Sequence, residues 1–99
     1  MLMGRVEGTV VASQKDAGLK GMKLHVVQQT DASGQPKGSY VVAVDAVGAG
    51  VGELVLFASG SSARQTDITR NVPVDAVIMA VVDEVEIQGK TTFSKSDED

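Results

Sequence analysis

Apolar side chains recur at every second position through much of this chain, the period of a strand with one face buried. In residues 4–13 (GRVEGTVVAS), Val6, Gly8, Val10 and Ala12 share one face and Arg5, Glu7, Thr9 and Val11 the other. Residues 22–29 repeat the pattern, with Met22, Leu24 and Val26 predicted inward and Lys23, His25 and Val27 outward. Residues 39–47 and 53–59 read as a third and a fourth strand. Residues 76–87 (AVIMAVVDEVEI) read as a fifth. Its first seven residues are apolar without interruption, as in a strand buried on both faces. Val77, Ile78, Val81 and Val82 favour strand over helix in that run, because β-branched side chains crowd a helix. A fainter sixth strand pattern lies in residues 86–93, and the chain from Ser94 onward is expected to be disordered.

The breaks between strands are made of turn residues. Gly18 and Gly21 punctuate residues 14–21; Ser33, Gly34 and Pro36 punctuate residues 30–38, which read as a solvated hairpin loop. Residues 61–64 predict one short helical turn, with Ser as N-cap and Ala and Arg as helix formers. Residues 65–72 are polar and irregular. Five short strands without a long helix predict an all-β domain over residues 1–88, with a polar acidic tail over 89–99. An OB-like barrel is one solution and a sandwich another; periodicity alone does not choose between them.

The densest stretch is VVAVDAVGAGVGELVLFASGSSAR, residues 41–64. Gly48, Ala49, Gly50, Val51 and Gly52 form a turn between two strands, and Ser61, Ser62 and Arg64 close the second strand. Glycines this dense mean positive φ or close backbone approach, and Gly50 is expected at positive φ. Asp45 and Asp75 each interrupt or begin an apolar run. Each is expected to be partly buried and in need of a donor, for which the planar fork of Arg64 is suited. The plainer alternative is that Asp45 ends a strand and Asp75 caps a turn after Pro73.

Composition narrows the function classes. Net charge is −4, and the last six residues, SKSDED, hold three of the thirteen acids, so the body is nearly balanced. That is the wrong field for collecting phosphates, and Tyr40, Phe57 and Phe93 are the only aromatics available to stack bases. There is no Cys, which excludes disulfides and thiolate metal sites and fits an intracellular location. No basic-then-apolar leader opens the chain, and no apolar run approaches the ~18 residues of a membrane span.

The motifs that suggest catalysis or nucleotide binding fail on spacing. A G-x-G-x-x-G fingerprint counted from Gly48 would need Gly where Glu53 stands, and counted from Gly50 where Val55 stands. The segment that follows reads as a strand, without the helix N-terminus that would hold a pyrophosphate. A phosphate loop ending at Gly89-Lys90-Thr91 would need Gly at Glu84, and a nucleophile elbow at Gly60 would need Gly at Arg64. His25 is the single histidine and is expected at the solvent or an interface; Asp83, Glu84 and Glu86 read as a solvated face. No catalytic residue, cofactor or metal ligand set is expected.

Three elements in order carry a resemblance: GRVEGTVVASQKDAGLKGMKL, then VAVDAVGAGVGELVL with GSSAR, then PVDAVIMAVVDEV. Over residues 3–85 the chain resembles the EutN/CcmL family of bacterial microcompartment shell vertex proteins. The resemblance implies a five-stranded OB-like β-barrel assembled as a homopentamer. It implies a structural role rather than an enzymatic one, at the corners of a polyhedral shell in the bacterial cytoplasm. The implied partners are other copies of the chain and the hexameric shell proteins that tile the facets. A heterologous ring brings two different patches together, so Gly48, Ala49, Gly50, Val51, Gly52, Ser61, Ser62 and Arg64 are expected at the subunit contact or the axis. His25 stands where an aliphatic residue is expected, and the residues from 86 run past the family's closing strand. The reading kept against this one is an OB-like nucleic-acid-binding module.

Overall fold

The computed structural model describes residues 1–98. Five strands close into a barrel in the order β1-β2-β3-β5-β4: β1 Leu2–Val10, β2 Leu24–Thr30, β3 Pro36–Asp45, β4 Leu54–Ser59 and β5 Ala76–Val81. All neighbours are antiparallel except β3 and β5, which run parallel and meet only at Val44↔Val77 and Asp45↔Ile78. Closure removes most of the free edges that an open sheet would expose. Short 3₁₀ turns occupy Ala17–Leu19, Gly60–Arg64 and Lys95–Glu98. The helical turn expected at residues 61–64 is therefore present, in the tighter form that short pieces adopt.

The expected fifth strand is in fact two. β5 ends at Val81, and β6 Glu84–Ile87 turns back through Gln88 and Gly89 to pair with β7 Lys90–Ser94. Both turn residues have positive φ, 52° and 79°, the requirement of a two-residue hairpin whose twist matches its strands. Residues 89–98, expected as a polar tail, thus carry a strand and a 3₁₀ turn. Thr92 Oγ1 donates to the Ala32 carbonyl (2.7 Å) and fastens this hairpin to the β2–β3 loop.

Two apolar clusters hold the fold. The inner one fills the barrel with Val6, Val27, Ala43, Ala49, Val55, Phe57, Ala76 and Ile78. The second lies against the barrel wall: Val44, Ala58, Ala63 and Val77, with Met22, Leu24 and Val74 packed on it. This second layer explains why the face assignments in β1 and β2 differ from expectation. In β2, His25 and Val27 point inward, while Leu24 faces the outer cluster. In β1, a bulge between Val6 and Gly8 adds a residue, so Val6 points inward while Gly8 and Val10 turn to the other face. Pro36, expected in the loop, opens β3, a position where its missing N–H costs nothing.

Candidate functional site

The glycine turn is organised by the last residue of β3. The Asp45 side chain is only 2% exposed and accepts at both oxygens. Oδ1 takes the backbone N–H of Val47 (2.9 Å) and of Gly48 (2.9 Å), and Oδ2 takes His25 Nε2 (3.0 Å). Burial disfavours the charged form of Asp45. The N–H groups of Val47, Ala49 and Gly48 and the His25 side chain outweigh it and hold the carboxyl below its ordinary value. An ionised Asp45 needs a His25 proton on Nε2, while Nδ1 is buried and has no hydrogen-bond partner among the described residues. The pair is a structural clamp between β2 and the turn.

The far side of the turn is laced to β1 and to the C-terminal segment. Gly52 N–H donates to the Val6 carbonyl (2.7 Å), and Val6 N–H to that of Glu53 (3.0 Å). Glu53 accepts from Gly50 N–H (2.5 Å) and from Lys95 Nζ (2.6 Å). The Lys95 hydrogen bond foremost, then that of Gly50, holds its carboxyl below the ordinary value. Arg5 donates to the carbonyls of Gly52 (3.0 Å) and Gly34 (3.0 Å), pairs with Glu98 (2.5 Å), and lies 5.8 Å from the Phe93 ring centre. An open cleft of about 500 Å³ lies between these groups, but its ionic side chains are already paired to one another.

Gly48 and Gly52 carry the positive φ of the turn, 79° and 92°; Gly50 does not. A Cβ at Gly50 would meet only the Glu53 carboxylate, at 3.3 Å, whereas nothing lies within 4 Å at Gly52. The expected strain therefore sits at the turn's ends. Gly52→Ala is expected to cost about 1 kcal/mol through left-handed backbone strain, and Gly50→Ala less. Urea midpoints of the two variants, in the opposite order, would refute that placement.

The second small-residue turn follows β4. Ser62 Oγ donates to the Ser59 carbonyl (2.7 Å), and Ala63 is buried in the outer cluster. Arg64 Nη1 donates to the Val74 carbonyl (3.1 Å), and Arg64 pairs with no carboxylate among the described residues. With Ser61, Gln65, Arg70 and Asn71 it lines a shallow polar cleft of about 340 Å³. Asp75, expected to be partly buried, is exposed; its backbone carbonyl accepts from Gly60 N–H (2.8 Å). The two turns are not brought onto one cluster. Ala49 enters the barrel interior and Ala63 the outer layer.

Sequence reasoning missed the His25–Asp45 clamp and the links from Arg5 and Lys95 to the turn. The first had one available signal: Val27 and His25 share strand parity, so a buried Val27 places His25 inside. The second had none, because it depends on where the C-terminal hairpin lies. Among the described residues no group of three or more His, Asp or Glu is placed to hold a metal.

The site's polar groups thus fix backbone turns on a closed barrel, which is the construction of a structural β-barrel subunit. The description "Ethanolamine utilisation protein EutN/carboxysome" matches residues 1–83, and the chain belongs to this EutN/CcmL family. It is 46% identical over 98 residues to the carboxysome shell vertex protein CcmL of Gloeobacter violaceus, covering 99% of this chain and 98% of that one. It is 44% identical to the microcompartment shell vertex protein EutN of Salmonella typhimurium, covering 96% of each. The solved structure of Gloeobacter violaceus CcmL superposes with a TM-score of 0.92, covering 98% of this chain and 100% of that one. That of the GrpN pentameric microcompartment shell protein from Rhodospirillum rubrum gives 0.80 at 45% identity, covering 88% and 99%. The family match ends at residue 83, yet the CcmL alignment spans nearly the whole chain, so the C-terminal segment also has a counterpart there.

Proposed function

We propose that this chain is a structural subunit of a bacterial microcompartment shell, assembling as a ring of five that closes the vertices. The observation that carries this is the end-to-end likeness to shell vertex proteins, one of which is itself described as pentameric. The shell lies in the bacterial cytoplasm, and the subunit's work is geometric rather than enzymatic. Other copies of the chain are its first partners, and the hexameric proteins of the facets its second. The turns at Gly48, Ala49, Gly50, Val51 and Gly52 and at Ser61, Ser62 and Arg64 are proposed to face the axis or the next subunit. Their small side chains permit close approach, and Arg64 retains donors beyond the one given to Val74.

The OB-like nucleic-acid alternative loses its main support in the structure. Phe57 and Phe93 are buried, which leaves Tyr40 alone at the surface, and a single ring is no stacking platform. Native mass spectrometry is expected to give five times the 10.3 kDa chain at micromolar concentration. A strict monomer there refutes the ring.

A further inference from the structure

The outer surface of a small barrel is ordinarily polar, with charged side chains alternating against the buried ones. On β1, β2 and β3 it is not. The register places Gly8, Val26 and Val42 side by side across the three strands, and Val10, Leu24 and Val44 in the next row. Neither row contains a charge. The second begins under cover, with Val44 1% exposed in the outer cluster. From there the stripe runs into solvent at Val42, 49% exposed, and ends at Tyr40, 62% exposed, whose own row holds Gln28 and Arg5. The same strand also offers unpaired backbone. β3 meets β5 only at Val44 and Asp45, so among the described residues its earlier part has a strand on the β2 side alone. An apolar strand segment with a free edge is a template for association unless something covers it.

We propose that this face is one of the two unlike patches of the ring, covered by a different surface of the next copy of the chain. The inference rests on the vertex reading, because that reading supplies the occupant. A closed ring of identical chains requires every copy to present one patch and receive it on another. A neighbour is the partner that meets every copy in one orientation. The uncharged Gly8–Val26–Val42 row, which lies beyond the chain's own outer cluster, also suits the dry centre of a permanent interface.

The chain has no cysteine, so single thiols report cleanly. Val42→Cys and Ile87→Cys place them at positions of matched exposure in the isolated chain, 49% and 48%. Both variants are labelled with a bulky maleimide after native mass spectrometry has established the five-chain ring. The thiol at 42 is expected to react about tenfold more slowly than the thiol at 87. Rates within about threefold of each other overturn the assignment while leaving the ring intact. Val42→Lys supplies a second readout: the mass should fall to that of one chain while the far-ultraviolet spectrum keeps its β signature. A Val42→Lys ring of five at nanomolar concentration also overturns it. If the unmodified chain is itself a monomer, the vertex reading has failed, and this assignment with it.

Discussion

Replacing Gly4 with valine is expected to cost about 3 kcal/mol, the upper range for overpacking a filled core. Even an alanine Cβ there would stand 2.5 Å from Val27 Cγ1, 2.8 Å from Phe57 Cε1 and 3.0 Å from the Gln28 carbonyl. Val27 and Phe57 belong to the inner cluster, 0% and 1% exposed, so neither can step aside without opening a gap elsewhere. The Gln28 oxygen belongs to the ladder that joins β1 to β2, so the backbone cannot yield either. Gly4→Ala should cost less, about 1–2 kcal/mol, which lowers the melting temperature of a chain this size by about 10 °C. Protein concentration must be held constant, because assembly itself raises the apparent melting point. A Gly4→Val protein that melts within a degree or two of the parent would show that the barrel interior is looser than the distances imply.

Asp45→Ala carries the second large effect, on the order of 3 kcal/mol. It strips two backbone N–H groups of their acceptor and leaves a buried imidazole with no partner at either nitrogen. Asp45→Asn is expected to cost less, since the amide oxygen can still cap the turn. Its NH₂ then faces His25 Nε2, which drives the imidazole proton to the unpartnered Nδ1. The pH dependence separates the clamp from mere packing. The folded-state value of Asp45 lies below the unfolded one. Its contribution is therefore complete above about pH 4 and is lost as pH falls through the folded value. Glu53 and Asp31 are shifted in the same direction and share the acid loss. Urea midpoints between pH 2 and 7 should show a shallower acid slope in Asp45→Asn than in the parent. Identical slopes would remove Asp45 from the account.

The strands and turns were largely legible in the sequence because glycine and proline mark them. Gly48 and Gly52 do sit at positive φ, though Gly50 does not, and strand alternation placed four of the five barrel strands to within about three residues, the fifth being drawn six residues too long. Inside and outside were not legible in β2. Leu24 and Val44 are apolar because a second layer covers the outer wall, so a period of two gives the same signal for either face. The bulge at Glu7 flips the rest of β1 and leaves no mark of its own beyond Gly8. The C-terminal hairpin was announced by Gln88-Gly89 between two alternating runs, a turn signal overshadowed by the acidic composition around it. At the site, the glycine turn stood out, but its clamp did not. His25 and Asp45 meet diagonally across a β2–β3 register that only the folded barrel defines.

β5 serves both apolar layers, with Ile78 in the inner cluster and Val77 in the outer one. The same property makes residues 76–82 (AVIMAVV) the stretch best suited to stacking between unfolded chains: β-branched, uncharged and free of proline. Asp75 stands immediately before it, and Asp83 and Glu84 immediately after. Flanking carboxylates of this kind act as gatekeepers, because stacked strands would bring like charges into line at each end. The exposed Asp75, whose side chain makes no hydrogen bond or ion pair among the described residues, thus stands at the edge of that stretch, where the like charge of a second chain would meet it.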